Sequence, residues 1–327
     1  MLRHKPFSER VRLADELRNR GKQIAGSVAD DLQLLDFLCA AIETGEAQAL
    51  AGYLRWTCGV LDARGLTPSS VRNAVGRLLS RLESDLSPLP AAELVEFIDS
   101  ALAAAALPAA SLTPRPRPLS EVQSRYLQAL LEGQRQAAVD IAVEAVHQGY
   151  ALPDIYADVL QESMYQVGRL WETNRISVAK EHMATAITQH VIAHLYPFIQ
   201  PVQPPRGRMV ITGVEGEFHQ VGPNIIADVL ESQGWDVRFL GTNTPVASVL
   251  QAIDEHRAEV LGISATMLSN LPNVRRLMAQ ARAVDGLNLR IILGGSAFRV
   301  APDLYRELGA EGMALDVVSA LALCEGL

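Results

Sequence analysis

Three short clusters in the C-terminal third carry residue types that can act together. The first is Glu217-Phe218-His219-Gln220-Val221-Gly222, an imidazole with a carboxylate two positions before it and a glycine three after. Forty-one residues separate Gly222 from Ser264-Ala265-Thr266, and twenty-seven separate Thr266 from the pair Gly294-Gly295. A carboxylate behind one ring nitrogen fixes a histidine's tautomer and raises its basicity, which suits the other nitrogen for a metal. A loop histidine bonded to Glu217 would read the same way, and a Gly-Gly pair alone is an ordinary turn. The acidic-x-His-x-x-Gly spacing arises by chance in roughly one chain in twenty of this length. Adding a serine and a Gly-Gly at set distances makes coincidence far rarer.

A further cluster lies upstream, where nine residues separate Trp171 from Glu181-His182. In isolation Trp171 reads as core and Glu181 as a surface charge. His190 and His194, spaced i, i+4 on one helix, could pair on a metal, but no third ligand is evident and they read as interface histidines. Trp56 with Tyr53 reads as core, and His147 and His256 as surface helix positions. Cys39, Cys58 and Cys324 lack metal-type spacing and read as reduced thiols.

The elements that must position these residues follow from periodicity. From Arg208 onward, MVITGV, DVRFL, EVLGISA, LRIILGG and GMAL are short apolar runs separated by helical segments of about a dozen residues. That alternation predicts a flavodoxin- or Rossmann-like, doubly wound parallel sheet over 206–327, with ligands beyond the carboxyl ends of the strands. All three clusters fall at such ends. Residues 121–198 read as four helices, at 121–132, 134–147, 153–171 and 177–196, turned at Gly133, Gly149-Tyr150 and Thr173-Asn174, hence a four-helix bundle. Trp171 would end its third helix and Glu181-His182 begin its fourth. Pro197, Pro201, Pro204 and Pro205 form a linker to the sheet.

Residues 1–107 read as an all-helical domain. Leu34, Leu35, Leu38, Ala41 and Ile42 share one face, as do Val71, Val75, Leu78, Leu79 and Leu82. Pro68 before Ser69-Ser70 marks a helix start, Pro88 and Pro90 a break, and the proline-rich 108–120 an interdomain linker. AAIETGEAQAL at 40–50 resembles ALLEGQRQAAV at 129–139. The first domain is either a diverged copy of the bundle or merely another alanine-rich hairpin.

The three C-terminal clusters resemble the signature of cobalamin-binding domains of the methionine-synthase and methylmalonyl-mutase type, with Glu217 in place of the usual aspartate and Thr266 in place of a leucine. The resemblance implies that His219 is the lower cobalt ligand, replacing the cofactor's own base, with Glu217 behind it. Gly222, Ser264, Thr266, Gly294 and Gly295 would then receive the displaced nucleotide tail, beneath a helical cap at 121–198.

Trp171 with Glu181-His182 is similar to an arrangement in the cobalamin photoreceptors that regulate carotenoid genes, and implies adenosylcobalamin, with indole over the adenosyl group and Glu181 on its ribose. That family has a histidine where this chain has Glu172, which leaves His182 or water to take the vacated cobalt position. The expectation is therefore a light-sensing regulator. Photolysis of the cobalt–carbon bond would shift the cap and change contacts within a homo-oligomer or with an unknown downstream protein partner. Related sensors pair cobalamin with a bilin, so biliverdin in the N-terminal domain is a further expectation. The alternatives are a corrinoid methyl-carrier protein of a methyltransferase system, which lacks a ribose for Glu181 to bind, and an antirepressor sensing cobalamin or tetrapyrrole level. An enzyme is not expected.

Composition narrows the partners. In 327 residues, 29 basic against 37 acidic side chains give a net charge of −8, and the N-terminal segment lacks a basic winged helix, so direct DNA binding is not expected. The apolar stretch at 101–110 is short and holds Pro108, which excludes a bilayer span. With no visible signal peptide, the chain reads as soluble and cytoplasmic.

Overall fold

The computed structural model describes residues 2–24, 29–66, 71, 73–78, 80, 91–106, 118–200, 202–284 and 289–326. Its first unit is helical: α1 (Phe7–Ile24), α2 (Ala29–Thr44), α3 (Ala47–Ala63) and α4 (Ala91–Ala105). The face expected on α2 is buried, Leu35, Leu38 and Ile42 almost completely. Val71, Val75 and Leu78 are buried too. Leu79, Leu82, the helix start at Pro68-Ser69-Ser70, the break at Pro88 and Pro90, residues 108–117 of the linker, and Pro201 lie outside the described residues. Trp56, expected in the core, is corrected: it is 37% exposed, because α3 buries Ala49, Leu50, Ala51 and Leu54 instead. Tyr53 does pack, stacked on Phe37 with ring centroids 3.8 Å apart.

The second unit is a bundle of four helices. It comprises α5 (Ser120–Glu132), α6 (Arg135–His147), the composite α7 and α8 (Val178–Leu195). Gly133 closes α5 at φ +74°, a left-handed conformation suited to glycine, and a Cβ there would stand 2.9 Å from Met183 Sδ of α8. The third helix was expected as one regular stretch. Instead α7 runs through Leu152–Asp154, a π-helical Ile155–Gln161 and Glu162–Glu172. The wider turn buries Ile155, Tyr156, Val159 and Leu160 together. At the start of α8, Ser177 Oγ accepts from the Lys180 backbone N–H at 3.3 Å. This cap sets Glu181 in the first turn, where a negative charge complements the helix dipole.

After residue 207 the apolar runs form five parallel strands: β1 (Arg208–Gly213), β2 (Asp236–Phe239), β3 (Val260–Ser264), β4 (Arg290–Gly294) and β5 (Gly312–Ala314). Their order is β2-β1-β3-β4-β5, the flavodoxin-like arrangement, with its switch point between β1 and β3. Register pairs Gly213 with Ser264 and Ser264 with Gly294, so the three chemical clusters leave the sheet at one level. The central strands are buried on both faces, which is why they read as apolar runs rather than alternations. At the margins β2 alternates, with Asp236 and Arg238 exposed, and β5 has three residues.

The helices of this unit are α9 (Val221–Ser232), α10 (Val246–His256), α11 (Leu271–Arg282), α12 (Leu304–Glu307) and α13 (Val317–Glu325). Ile225 and Val229 of α9 and Val317 of α13 share a core with the bundle. Residues of α10 and α11 share another with the N-terminal helices. His256, expected on the surface, is buried at the end of α10, because its imidazole turns in to the first residue of β2, with Nε2 3.0 Å from the Asp236 carbonyl oxygen. Among the described residues no helix is long and apolar enough to cross a membrane.

Candidate functional site

The loop after β1 carries Glu217 and His219 at the switch point. Glu217 is fully buried, an expensive place for a carboxylate unless donors surround it. They do. Oε1 accepts from the backbone N–H groups of Phe218 at 3.0 Å and His219 at 2.9 Å, and lies 2.5 Å from His219 Nδ1. Oε2 accepts from the Thr266 backbone N–H at 2.5 Å and from Asn270 Nδ2 at 3.2 Å. Burial alone would raise this carboxyl. The bonds from the His219 side chain and backbone and from Thr266 outweigh it and bring it down to about 2.

The bond to Glu217 in turn raises His219, against the effect of burial; the charges of Glu217 and Glu181 add to the rise. The His219 side chain is 57% exposed, so Nδ1 is tied to the carboxylate while the ring remains accessible.

The other two clusters close around this pair. Ala265 N–H donates to the Gly294 carbonyl at 2.9 Å, and Ser296 Oγ donates to the Thr266 carbonyl at 3.0 Å. Gly295 sits at φ +98°, and a Cβ there would fall 2.3 Å from the Ala265 carbonyl oxygen, so the close approach of these strand ends requires glycine. Gly222 is different. A Cβ there would meet nothing within 4 Å, so the protein's own packing does not demand glycine at this position. The Ser264 hydroxyl makes no hydrogen bond among the described residues, although the residue is buried.

The structure thus brings Glu217, His219, Thr266, Gly294 and Gly295 into one array, with Ser264 and Gly222 at its margin. On the bundle side, Glu181 Oε2 lies 2.5 Å from His182 Nδ1 and its Oε1 accepts from Thr185 Oγ1 at 3.0 Å. Both oxygens expected to await ribose hydroxyls already have partners within α8. Trp171, in the last turn of α7, lies against the N-terminal unit beneath the Arg64 guanidinium, 5.1 Å from its ring centroid. His190 and His194 lie together with centroids 4.3 Å apart, and no group of three metal-capable side chains occurs among the described residues.

Several residues escaped the sequence reading. Asn270 secures Glu217, and Asn243 Oδ1 accepts from the Gly216 N–H at 2.9 Å. Asp228 of α9 accepts from the buried Tyr156 hydroxyl at 2.6 Å, joining the π-helical segment to the sheet unit. Asparagine before Leu-Pro at 271–272 was the only signal for any of these, since it favours a helix start.

The donor set fits a corrinoid. One accessible imidazole nitrogen, backed by a carboxylate, suits a metal that brings its own equatorial ligands. The open space at Gly222 and the Ser264 hydroxyl, which makes no hydrogen bond among the described residues, suit a polar tail passing close to backbone.

Comparison with known proteins agrees with that chemistry. Two family models, each described as a B12 binding domain, match residues 207–322 and 122–196. Dimethylamine corrinoid protein 1 of Methanosarcina acetivorans is 27% identical over 190 residues, 55% of this chain and 89% of that protein. Methionine synthase of Mycobacterium tuberculosis is 24% identical over 240 residues, 70% of this chain but 19% of that protein. The monomethylamine corrinoid protein of Methanosarcina barkeri has the same fold, with a TM-score of 0.56 at 21% identity, covering 64% of this chain and all of that one. These matches correct the light-sensing expectation. The Methanosarcina relatives are named as corrinoid proteins, which matches the alternative of a corrinoid carrier rather than a photoreceptor.

Proposed function

Residues 122–196 and 207–322 belong to the cobalamin-binding domain families, and from that premise we propose that this chain is a corrinoid-carrying protein of a methyltransferase system. A corrinoid held here would supply a cobalt centre able to carry a methyl group between two partners.

The chain's own part is to hold and orient. His219 would offer Nε2 as a ligand to the cobalt, since Nδ1 is engaged by Glu217 at 2.5 Å in an accessible ring. That pairing is the single observation that carries the reading. Thr266 and Asn270 keep the carboxylate in place, so the imidazole is oriented before any ligand arrives. Gly222, Ser264, Gly294 and Gly295 would receive the nucleotide tail. Trp171, Glu181 and His182 would lie on the bundle side of a bound corrinoid. The relatives named as dimethylamine corrinoid proteins support the carrier reading, whereas the expected bilin has no comparable support.

The test is the absorbance and cobalt(II) electron paramagnetic resonance of protein loaded with aquacobalamin, then reduced. Wild type should show nitrogen coupling that changes when histidine is labelled with nitrogen-15, and His219→Ala should lose it. Coupling that ignores the label would end the assignment of the lower ligand. Failure of methylcobalamin-loaded protein to pass labelled methyl to any methylamine-type methyltransferase would end the carrier reading alone.

A further inference from the structure

The N-terminal helices lie outside both family matches, yet they are joined to the loop of Glu217 and His219 through one helix of the sheet unit. That helix is α11. With Asn270 just before it, its side chains hold three successive residues of the loop after β1. Asn273 Nδ2 donates to the Glu215 carbonyl at 2.6 Å, and Arg276 pairs with the Glu215 carboxylate. Asn270 Nδ2 donates to the Gly216 carbonyl at 3.4 Å as well as to Glu217 Oε2 at 3.2 Å. Asn273 and Arg276 are three apart, hence neighbours on the surface of the helix.

Arg275, between them in sequence, engages the N-terminal unit instead. Its Nε lies 3.0 Å from Glu43 Oε2 of α2, and its Nη2 lies 2.9 Å from Asp15 Oδ1 of α1. Glu43 is almost wholly buried, so water competes little for this attachment. α2 also packs on the 3-10 turn Leu268–Asn270, which carries Asn270 and follows Thr266, whose amide holds Glu217 Oε2. The start of α11 thus has the two acids of the N-terminal unit on one side and the loop on the other.

We infer that Asp15, Glu43 and Arg275 are positioning residues, through which the N-terminal unit sets α11 against residues 215–217 and so holds the Glu217–His219 pair in place for cobalt. The inference rests on the proposed function, which makes His219 the lower cobalt ligand. Val274, Leu277 and Met278 seat α11 by apolar packing, which is non-directional. The ion pairs of Arg275 fix where along that seat the helix rests. A ligand held to within about 0.5 Å needs its supports fixed in turn.

The test loads the full chain with cyanocobalamin and titrates it with cyanide at fixed pH. Absorbance reads the midpoint at which cyanide displaces the imidazole, a measure of how firmly His219 holds cobalt. Arg275→Ala should lower the midpoint by about three- to tenfold, less than the loss of a ligand's direct orienting partner. Glu43 and Asp15 keep Arg18 in that variant, so the N-terminal unit retains ion pairs of its own. Glu43→Gln, which keeps the shape and removes the charge, should act in the same direction and carries the test should Arg275→Ala fail to fold. Glu307→Ala removes the Arg10 pair at the same junction without touching α11, and should leave the midpoint within about twofold of wild type. In an Asn273→Ala background the Arg275→Ala effect should shrink, because one link to the loop is already gone. Wild-type midpoints in folded Arg275→Ala or Glu43→Gln, an equal fall in Glu307→Ala, or an undiminished effect without Asn273 would overturn the inference. A midpoint in His219→Ala equal to that of wild type would instead overturn the reading of the site itself.

Discussion

At the scale of single residues, Glu217 is the hub, because one buried carboxylate accepts from two loop amides, an imidazole, the Thr266 amide and Asn270. Glu217→Ala should lower stability in denaturant unfolding by about 2–4 kcal/mol, since several buried donors lose an ionised partner at once. The same change should weaken aquacobalamin binding by roughly ten- to a hundredfold, as loss of a ligand's orienting partner does. Full affinity in a folded Glu217→Ala protein would contradict this. The two glycines part company. Gly295→Ala meets carbonyl oxygen at a left-handed φ and should cost about 1–3 kcal/mol of stability. Gly222→Ala should leave the melting temperature unchanged or raised while reducing cobalamin affinity. Equal behaviour of the two variants would refute the distinction.

The motif was legible because its parts sit close in sequence at fixed spacings. The role of Thr266 was not, since its backbone amide, rather than its side chain, does the holding. The departure from aspartate at 217 acquires a physical meaning, because the extra methylene carries Oε2 to the amide of the neighbouring strand end.

At the scale of elements, the π-helical turn and α9 form a buried joint between bundle and sheet. Burial raises the Asp228 carboxyl to about 6; the Tyr156 hydroxyl bond pulls it back and Glu231 adds to the rise. A carboxyl whose pKa is higher in the folded protein holds a proton that the unfolded chain has already released. Stability from this joint therefore falls as pH rises through the window between about 4 and 6, and the full penalty is present above it. Asp228→Asn, which can still accept from Tyr156, should flatten that window in urea titrations and add on the order of 2 kcal/mol at pH 7. An unchanged pH profile would refute the assignment. Tyr196 repeats the joint more weakly, donating to Glu231 at 3.1 Å. Four helices were legible from a period near 3.6. Seven residues of wider winding are too few to shift that pattern, so the sequence shows the third helix without its bulge.

At the scale of the whole molecule, ions fasten the N-terminal unit to the sheet. Glu43, 1% exposed, lies between Arg18 at 2.9 Å and Arg275 at 3.0 Å, and burial raises its carboxyl despite both arginines. Asp15 joins the same cluster at 2.9 Å from Arg275, and Arg10 pairs with Glu307 nearby. Glu43→Ala removes the buried carboxylate that Arg18 and Arg275 share, leaves them only the more exposed Asp15, and should destabilise by about 3 kcal/mol, read by thermal unfolding. A loss below about 1 kcal/mol would place the cluster among surface pairs of little consequence. Strand order followed from the alternation of apolar runs and helices. The junction did not, because its partners stand 232 positions apart and each alone looks like an ordinary surface charge.

The two outer strands carry a last consequence. β2 turns Asp236 and Arg238 outward, and β5 ends after three residues. Neither border gives a foreign chain a long, neutral template for backbone pairing. Growth by extending the sheet from one copy into another is discouraged at both ends, which favours the helical flanks for any contact between copies.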